Sequence, residues 1–276
     1  MKKKVNKKEI SISVNNLHIA YRGLKKFSIK KSLLKLKTSK REIFEALKGV
    51  SFEIEKGKIL GIVGKNGSGK STLLRSIAGI FSPDKGSINL HGNSISLLSI
   101  GVGFQPALTG YENIFLSGML LGFTEDEVKA KLKDIIEFSE LGDFIYSPVK
   151  TYSSGMYSKL AFSITAILET DIMLIDEVLS VGDIQFKAKS YAKMKELISD
   201  TNRTVVIVSH STGTLRELCD EILWLHEGNI RMLGDCDEVL DEYQAFMEAE
   251  TLKKEQAKQQ EEEQLKKAIQ EQNNKK

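Results

Sequence analysis

Cysteine is scarce in this chain, since Cys219 and Cys236 are the only two among 276 residues. Two cysteines do not make a disulfide framework, and their spacing matches no metal-binding motif. Long apolar runs are also missing, because no stretch approaches the roughly 18 to 20 apolar residues that a membrane-spanning helix needs. The basic start, MKKKV, is not followed by the apolar core of a signal peptide. We therefore expect a cytosolic chain.

A strong charge of either sign is absent as well. The 40 Lys and Arg residues nearly balance the 37 Asp and Glu residues, which leaves a net charge of +3. This balance does not argue for nucleic acid as a partner. A length of 276 residues with 41% hydrophobic content suits one large α/β domain with an appendage.

The clearest positive feature is the stretch GKNGSGKST at residues 64–72, which lies between an apolar run and a helical pattern. Strand, glycine-rich loop and helix together are typical of a Walker A phosphate-binding loop. Such a loop turns backbone N–H groups toward phosphate oxygens, and the helix N-terminus favours the anion. Lys70 is expected to reach the β- and γ-phosphates, and Ser71 to bind Mg²⁺. The predicted nucleotide-binding residues here are Gly64, Lys65, Asn66, Gly67, Ser68, Gly69, Lys70, Ser71 and Thr72. The loop alone leaves kinases, GTPases and many ATPases open.

A second motif, DIMLIDE at residues 171–177, is an apolar run that ends in two adjacent carboxylates. Beside a Walker A loop it predicts a Walker B strand, although a strand that merely ends in acidic residues is the alternative. Asp176 would then reach the Mg²⁺ shell, and Glu177 would polarise the attacking water.

Further apolar patterns predict the surrounding fold. The runs at 59–63, 172–175 and 205–208 indicate buried parallel strands. Short strands at 10–21 and 47–54 indicate a small antiparallel subdomain. Helical periodicity over 124–141 indicates an amphipathic helix. After residue 248 the composition turns to Glu, Gln and Lys, so we expect the tail 249–276 to be a solvated helix or a disordered segment. Its apolar residues are too sparse for a convincing coiled coil.

Between the two Walker motifs, TYSSGM at 151–156 resembles the signature sequence of ABC-type ATPases, which is normally LSGGQ. Taken alone it is a serine-rich helix cap. The resemblance implies that Ser153, Ser154 and Gly155 contact the ATP held by the other subunit of a homodimer. It also implies a P-loop ABC ATPase domain over residues 8–248, with a parallel core sheet, flanking helices, a small antiparallel subdomain and a helical subdomain at about 104–165.

The same resemblance assigns further roles by position. Gln105 is expected to couple Mg²⁺ and the γ-phosphate to the helical subdomain, and so to serve as both a catalytic residue and a metal ligand. Asp183 would be the aspartate of the dimer loop, and His210 the switch histidine. Tyr21 is the predicted adenine-stacking residue, with Phe44 as the alternative.

Departures from the generic ABC pattern narrow the subgroup. The sequences YSSGM, IDEVLSVGD and LTGYENI together resemble ATP-binding subunits of bacterial polysaccharide exporters, and residues 135–150 look most like those of teichoic acid exporters. The implied protein is an ATP- and Mg²⁺-dependent homodimer at the cytoplasmic face of the bacterial membrane. It would energise two copies of a permease that handles a lipid-linked polymer. Export of another glycan, of capsule, O-antigen or rhamnan type, is the alternative, and a soluble ABC ATPase is a remote one.

A basic insertion, residues 22–42, separates the first two predicted strands. From Arg22 to Arg41 it contains nine basic residues and no acidic one. It is interpreted either as a solvated basic segment or as an interfacial helix that meets anionic lipid or a carrier pyrophosphate.

Overall fold

The structure is a computed structural model that describes residues 9–22, 43–98, 103–176 and 183–273. The strands in these ranges are β1 (Ile10–Arg22), β2 (Ile43–Glu55), β3 (Ile59–Val63), β4 (Lys85–Asn89), β5 (Ile95–Leu97), β6 (Ile172–Asp176), β7 (Thr204–Val208), β8 (Glu221–His226) and β9 (Asn229–Asp235). The helices are α1 (Lys70–Ile77), α2 (Gly110–Leu120), α3 (Glu125–Ser139), α4 (Ser154–Ile167), α5 (Ile184–Ile198), α6 (Thr212–Leu218) and α7 (Cys236–Asn273). Two short 3-10 helices cover Gly142–Tyr146 and Val149–Thr151.

The described strands form two sheets. The larger sheet has the order β5-β6-β7-β3-β8-β9, in which every neighbouring pair is parallel except β8 and β9. The smaller sheet is antiparallel and has the order β2-β1-β4. Strands β3, β6 and β7 are almost wholly buried, as expected for parallel strands that are covered on both faces. The predicted α/β architecture with a small antiparallel part is therefore confirmed.

A separate helical layer is built from α2, α3 and α4. Its core contains Ile114 of α2, Val128 and Ile135 of α3, and Leu160 and Ile164 of α4, each at most 1% exposed. The two α3 residues lie seven positions apart, which confirms the helical periodicity predicted there. Helix α3 begins with a capping box in which Thr124 and Glu127 each bind the other's backbone N–H.

The C-terminal helix α7 is one continuous helix that runs across the expected boundary at residue 248. Its first turns pack against the large sheet, because Val239 and Leu240 are fully buried. None of the helices in the described ranges combines the length and the apolar character that crossing a membrane requires. Residues 23–42, which make up nearly all of the basic insertion, lie outside the described residues.

Candidate nucleotide-binding site

The site lies at the carboxyl ends of three neighbouring parallel strands. Strand β3 leads into the phosphate loop, β6 ends at Asp176, and β7 ends at Val208, which is in register with Asp176. Ligands of open parallel sheets bind at this edge, because the loops and helix N-termini converge there. The pairing of these strands therefore brings the two Walker motifs together, although they are about a hundred residues apart in the sequence.

The phosphate loop turns at three glycines with positive φ, Gly64, Gly67 and Gly69, and two of them also lie close against neighbouring backbone. Gly64 has φ of 151° and Gly69 has φ of 108°. A methyl group on Gly64 would collide with the carbonyl oxygen of Leu225, and one on Gly69 would lie 2.6 Å from the carbonyl oxygen of Ala46. The loop thus packs closely against β2 and β8 at these two glycines, and no side chain larger than hydrogen fits there.

Lys70 spans this loop from its end. The residue begins α1, is only 7% exposed, and donates from Nζ to the carbonyl oxygens of Gly64 at 2.7 Å and of Lys65 at 3.1 Å. These bonds hold the ammonium group across the loop, beside the N-terminus of α1. Both the charge and the helix dipole favour an anion at this point.

A cavity of about 530 Å³ opens beside the loop. Its lining residues come from the antiparallel sheet, the phosphate loop, α1 and the ends of β6 and β7: Tyr21, Phe44, Ala46, Asn66, Gly67, Gly69, Lys70, Ser71, Thr72, Arg75, Asp176, Val208 and His210. The volume and the mixture of aromatic, cationic and acidic groups suit a ligand that has an apolar ring and an anionic chain.

Both candidate adenine-stacking rings line this cavity. Tyr21 of β1 and Phe44 of β2 are direct cross-strand partners, 40% and 59% exposed. Tyr21 is the more constrained of the two, because its hydroxyl lies 3.1 Å from Thr72 Oγ1 and its ring contacts Phe81 edge-on. The structure therefore brings the predicted residue and its alternative to the same wall, where an aromatic ring of a ligand can stack.

Oxygen atoms that suit a divalent cation also line the cavity. Ser71 Oγ donates to Asp176 Oδ1 at 3.4 Å, and both residues line the cavity. Hydroxyl and carboxylate oxygens near a polyphosphate are the donors that Mg²⁺ prefers. The pair thus fits the predicted metal site.

The other predicted catalytic residues are placed differently. His210 follows β7 and lines the cavity. Gln105 is exposed and is not among the lining residues; its backbone is bound to the Asn113 side chain of α2. Glu177 lies outside the described residues, and so does the rest of the segment 177–182.

The signature-like sequence begins α4, away from the cavity. Ser153 caps the helix by accepting from the backbone N–H of Met156 at 3.2 Å, as its composition predicts. Ser154 is exposed, Gly155 is half-buried, and neither lines the cavity of its own chain. A helix N-terminus that is open at the surface can face an anion held by a second molecule.

Asp183 caps α5 and is held by a lysine of the signature helix. Lys159 Nζ lies 2.7 Å from Asp183 Oδ2 and 3.5 Å from Glu140. The hydrogen bond from Lys159, together with that from the backbone N–H of Phe186, lowers the pKa of Asp183 to about 2. Asp183 is therefore ionised at any physiological pH and links α4 to α5.

Sequence reasoning did not single out Lys159 or Arg75. Arg75 lines the cavity three residues after Thr72, on the same face of α1. The i, i+3 spacing from Thr72 is the signal that would have identified it. Lys159 has no comparable local signal, since its partners Glu140 and Asp183 lie just after α3 and just before α5.

Comparison with known proteins agrees with this geometry. The family described as ABC transporter matches residues 47–180. The O-antigen export system ATP-binding protein RfbB of Myxococcus xanthus is 45% identical over 78% of this chain and 50% of its own length. The teichoic acids export ATP-binding protein TagH of Staphylococcus epidermidis is 42% identical over 91% of this chain and 94% of its own length. A dimeric ATP-binding cassette in a post-hydrolysis state with ADP and Pi superposes with a TM-score of 0.63 at 21% identity, covering 82% of this chain and 98% of the other.

The fold and the site define a P-loop nucleotide-binding cassette. The chain belongs to the ABC transporter family, since relatives more than 40% identical are matched over most of their length. It spans only about half the length of other curated relatives, including the RfbB protein of M. xanthus.

Proposed function

We propose that this chain binds and hydrolyses ATP as the energising subunit of an exporter of lipid-linked polysaccharide. The observation that carries the proposal is the cavity in which the Walker A loop, Asp176 and His210 meet below two aromatic rings. An adenine would stack against Tyr21 or Phe44, and the phosphates would lie along the loop toward Lys70. The family and the names of its relatives support ATP as the nucleotide.

Several side chains and the loop backbone each have a separate role in the proposed phosphoryl transfer. Lys70 supplies a fixed positive charge to the β- and γ-phosphates, and the loop N–H groups complete the anion site. Ser71 and Asp176 would hold Mg²⁺, which when bound neutralises charge on the phosphates. Glu177 orients the attacking water, and His210 contacts the γ-phosphate. Gln105 would join this set as a metal ligand and a link to the helical layer, which requires its exposed loop to move toward the cavity.

Two copies are needed for a complete site under this proposal. In a single chain, Ser153, Ser154 and Gly155 do not line the cavity, so they are available to a second copy's nucleotide. The ionised Asp183 is held against this signature helix by Lys159, and we assign it to the dimer loop. The dimeric cassette that superposes on this chain supports the arrangement.

A membrane permease is the proposed partner of the helical layer. Met119, Leu120, Phe144 and Tyr146 are each more than half exposed, and Tyr146 stacks on Tyr111 with ring centroids 5.9 Å apart. Exposed large apolar side chains of this kind suit contact with another protein. We therefore place the chain on the cytoplasmic face of the membrane, bound to two permease copies.

For the cargo we favour a teichoic acid carried on a lipid. The TagH relatives of two staphylococcal species match along 94% and 89% of their length, slightly more than the 82% of the RfbB relatives of Klebsiella pneumoniae, and residues 135–150 resemble those of teichoic acid exporters. An O-antigen or a capsule-type glycan is the second candidate, and the 45% identity to RfbB supports it.

Depleting the chain in its native cell tests this function. We expect wall-bound polymer phosphate to fall while lipid-linked polymer accumulates inside. Wild-type protein should restore export, and Glu177→Gln should not, because the water-orienting carboxylate is lost. The control is Glu196→Gln, which removes an exposed carboxylate that pairs with Lys193 on the surface of α5 and should restore export fully.

Two other outcomes of this experiment would contradict parts of the proposal. Normal wall phosphate together with the loss of a different surface glycan would contradict the teichoic acid cargo and keep the exporter. An unchanged cell surface would contradict the exporter itself.

A further inference from the structure

The first half of α7 is fixed to the large sheet by aromatic contacts. Tyr243 and Phe246 both lie against Trp224 of β8, with ring centroids 5.4 and 5.2 Å apart. Arg231 of β9 stacks on the same group, 4.4 Å from the Trp224 ring and 4.2 Å from the Phe246 ring. This part of α7 is therefore held firmly against the sheet.

The phosphate loop contacts the same helix through Lys65. The Lys65 ammonium lies 5.1 Å from the centroid of the Phe246 ring and forms an ion pair with Glu250, which is one helical turn beyond Phe246. About 70% of each charged side chain is shielded from solvent, since Lys65 is 28% and Glu250 is 31% exposed. Cation–π and ionic contacts thus hold Lys65 on the side of α7.

Lys65 is consequently directed away from the cavity. Its neighbours Asn66 and Gly67 line the cavity, but Lys65 does not. Its own carbonyl oxygen accepts from Lys70, so its backbone is part of the loop's inner structure. The loop therefore contains a second lysine. Its contacts with α7 keep its ammonium group away from the place where phosphates would bind.

We propose that Phe246 and Glu250 position Lys65 and thereby restrain the phosphate loop, so that loosening this contact increases affinity for nucleotide polyphosphates. The inference rests on the proposed binding of ATP. Removing Glu250 has two effects of the same sign: it takes a negative charge from beside the anion site, and it frees Lys65 to turn toward the phosphates. Because α7 continues without a break to Asn273, anything that displaces its later turns also acts on this contact.

The test compares nucleotide affinity in the full chain and in Glu250→Gln. Titration with a fluorescent, non-hydrolysable ATP analogue and Mg²⁺ should give a Kd about two- to five-fold lower in the variant, the size expected for one partly exposed ion pair. The difference should shrink at high salt, because ionic strength screens such a pair. Loss of packing or of stability would change the Kd in the opposite direction.

Two further variants make the result specific. Glu242→Gln removes an exposed carboxylate of the same helix and should leave the Kd unchanged. In the Lys65→Met background, Glu250→Gln should have a much smaller effect, because most of the gain acts through Lys65. An equal gain with and without Lys65 would overturn the proposal, as would an unchanged or raised Kd in Glu250→Gln. A wild-type chain that binds no nucleotide would overturn both this inference and the proposed function.

Discussion

Lys70→Met is expected to lower ATP hydrolysis by at least about 100-fold, the usual cost of removing one preorganised charge from a transition-state site. Lys70 is the cation that the structure fixes across the phosphate loop, by bonds of 2.7 and 3.1 Å to two backbone carbonyls. Methionine keeps the length and the apolar part of the side chain but cannot donate these two bonds, so the free energy of unfolding should fall by about 1 to 3 kcal/mol. Steady-state phosphate release and urea unfolding of the same preparation measure the two effects.

Lys58→Met is the matched control for this variant. Lys58 precedes β3, at the opposite end of the strand from the loop, and pairs with Asp220 at 3.2 Å on the surface. Its loss should leave turnover within about two-fold of wild type, since exposed ion pairs contribute little. If Lys70→Met retained more than a tenth of wild-type turnover, Lys70 would not hold the assigned role.

Gly64→Ala is expected to have the largest effect on stability, about 3 to 5 kcal/mol, together with loss of nucleotide binding. The added methyl group would collide with the Leu225 carbonyl oxygen and lie 2.6 Å from Ser68 Oγ, while φ of 151° is unfavourable for alanine. Steric overpacking and backbone strain each cost about 1 to 3 kcal/mol. Either the loop or β8 must move, and the phosphate site changes with it.

Gly79→Ala separates the collision from the backbone strain. Gly79 also has a left-handed backbone, with φ of 74°, but a methyl group there meets no atom within 4 Å. Its cost should be only about 1 to 2 kcal/mol, with nucleotide affinity retained. Equal losses in the free energy of unfolding for Gly64→Ala and Gly79→Ala, measured by urea denaturation, would disprove the steric account.

The parts of this fold that the sequence predicted are those with a strong local pattern. The buried strands β3, β6 and β7 are apolar runs that end in recognisable motifs, and the buried face of α3 repeats with helical spacing. Strand β4 was missed because four of its five residues are exposed and no alternation marks it. The polar composition of the later turns of α7 predicted only a solvated helix or a disordered segment after residue 248. The structure has one helix from Cys236 to Asn273, and Val239, Leu240 and Phe246 attach its beginning to the sheet.

The same distinction applies to the site. Most of the Walker residues that the structure describes line one cavity, because each motif includes the strand or helix that positions it: Asn66, Gly67, Gly69, Lys70, Ser71, Thr72 and Asp176. Lys159 and Glu250 act through partners far away in the chain, so no window of sequence contains the interaction. The role of Gln105 stays a prediction, since its backbone is bound to Asn113 and the residue does not line the cavity of its own chain.

The molar mass of the Glu177→Gln variant, measured by light scattering with and without Mg·ATP, tests the central claim most directly. The signature residues of a chain do not line its own cavity. We therefore expect ATP to join two chains, in which the helix N-terminus at Ser153 of each chain faces the nucleotide of the other. We expect the mass to rise from the 30.8 kDa of one chain to twice that value with Mg·ATP, and to return to 30.8 kDa with ADP. A variant that is saturated with ATP and stays at 30.8 kDa would contradict the two-chain site.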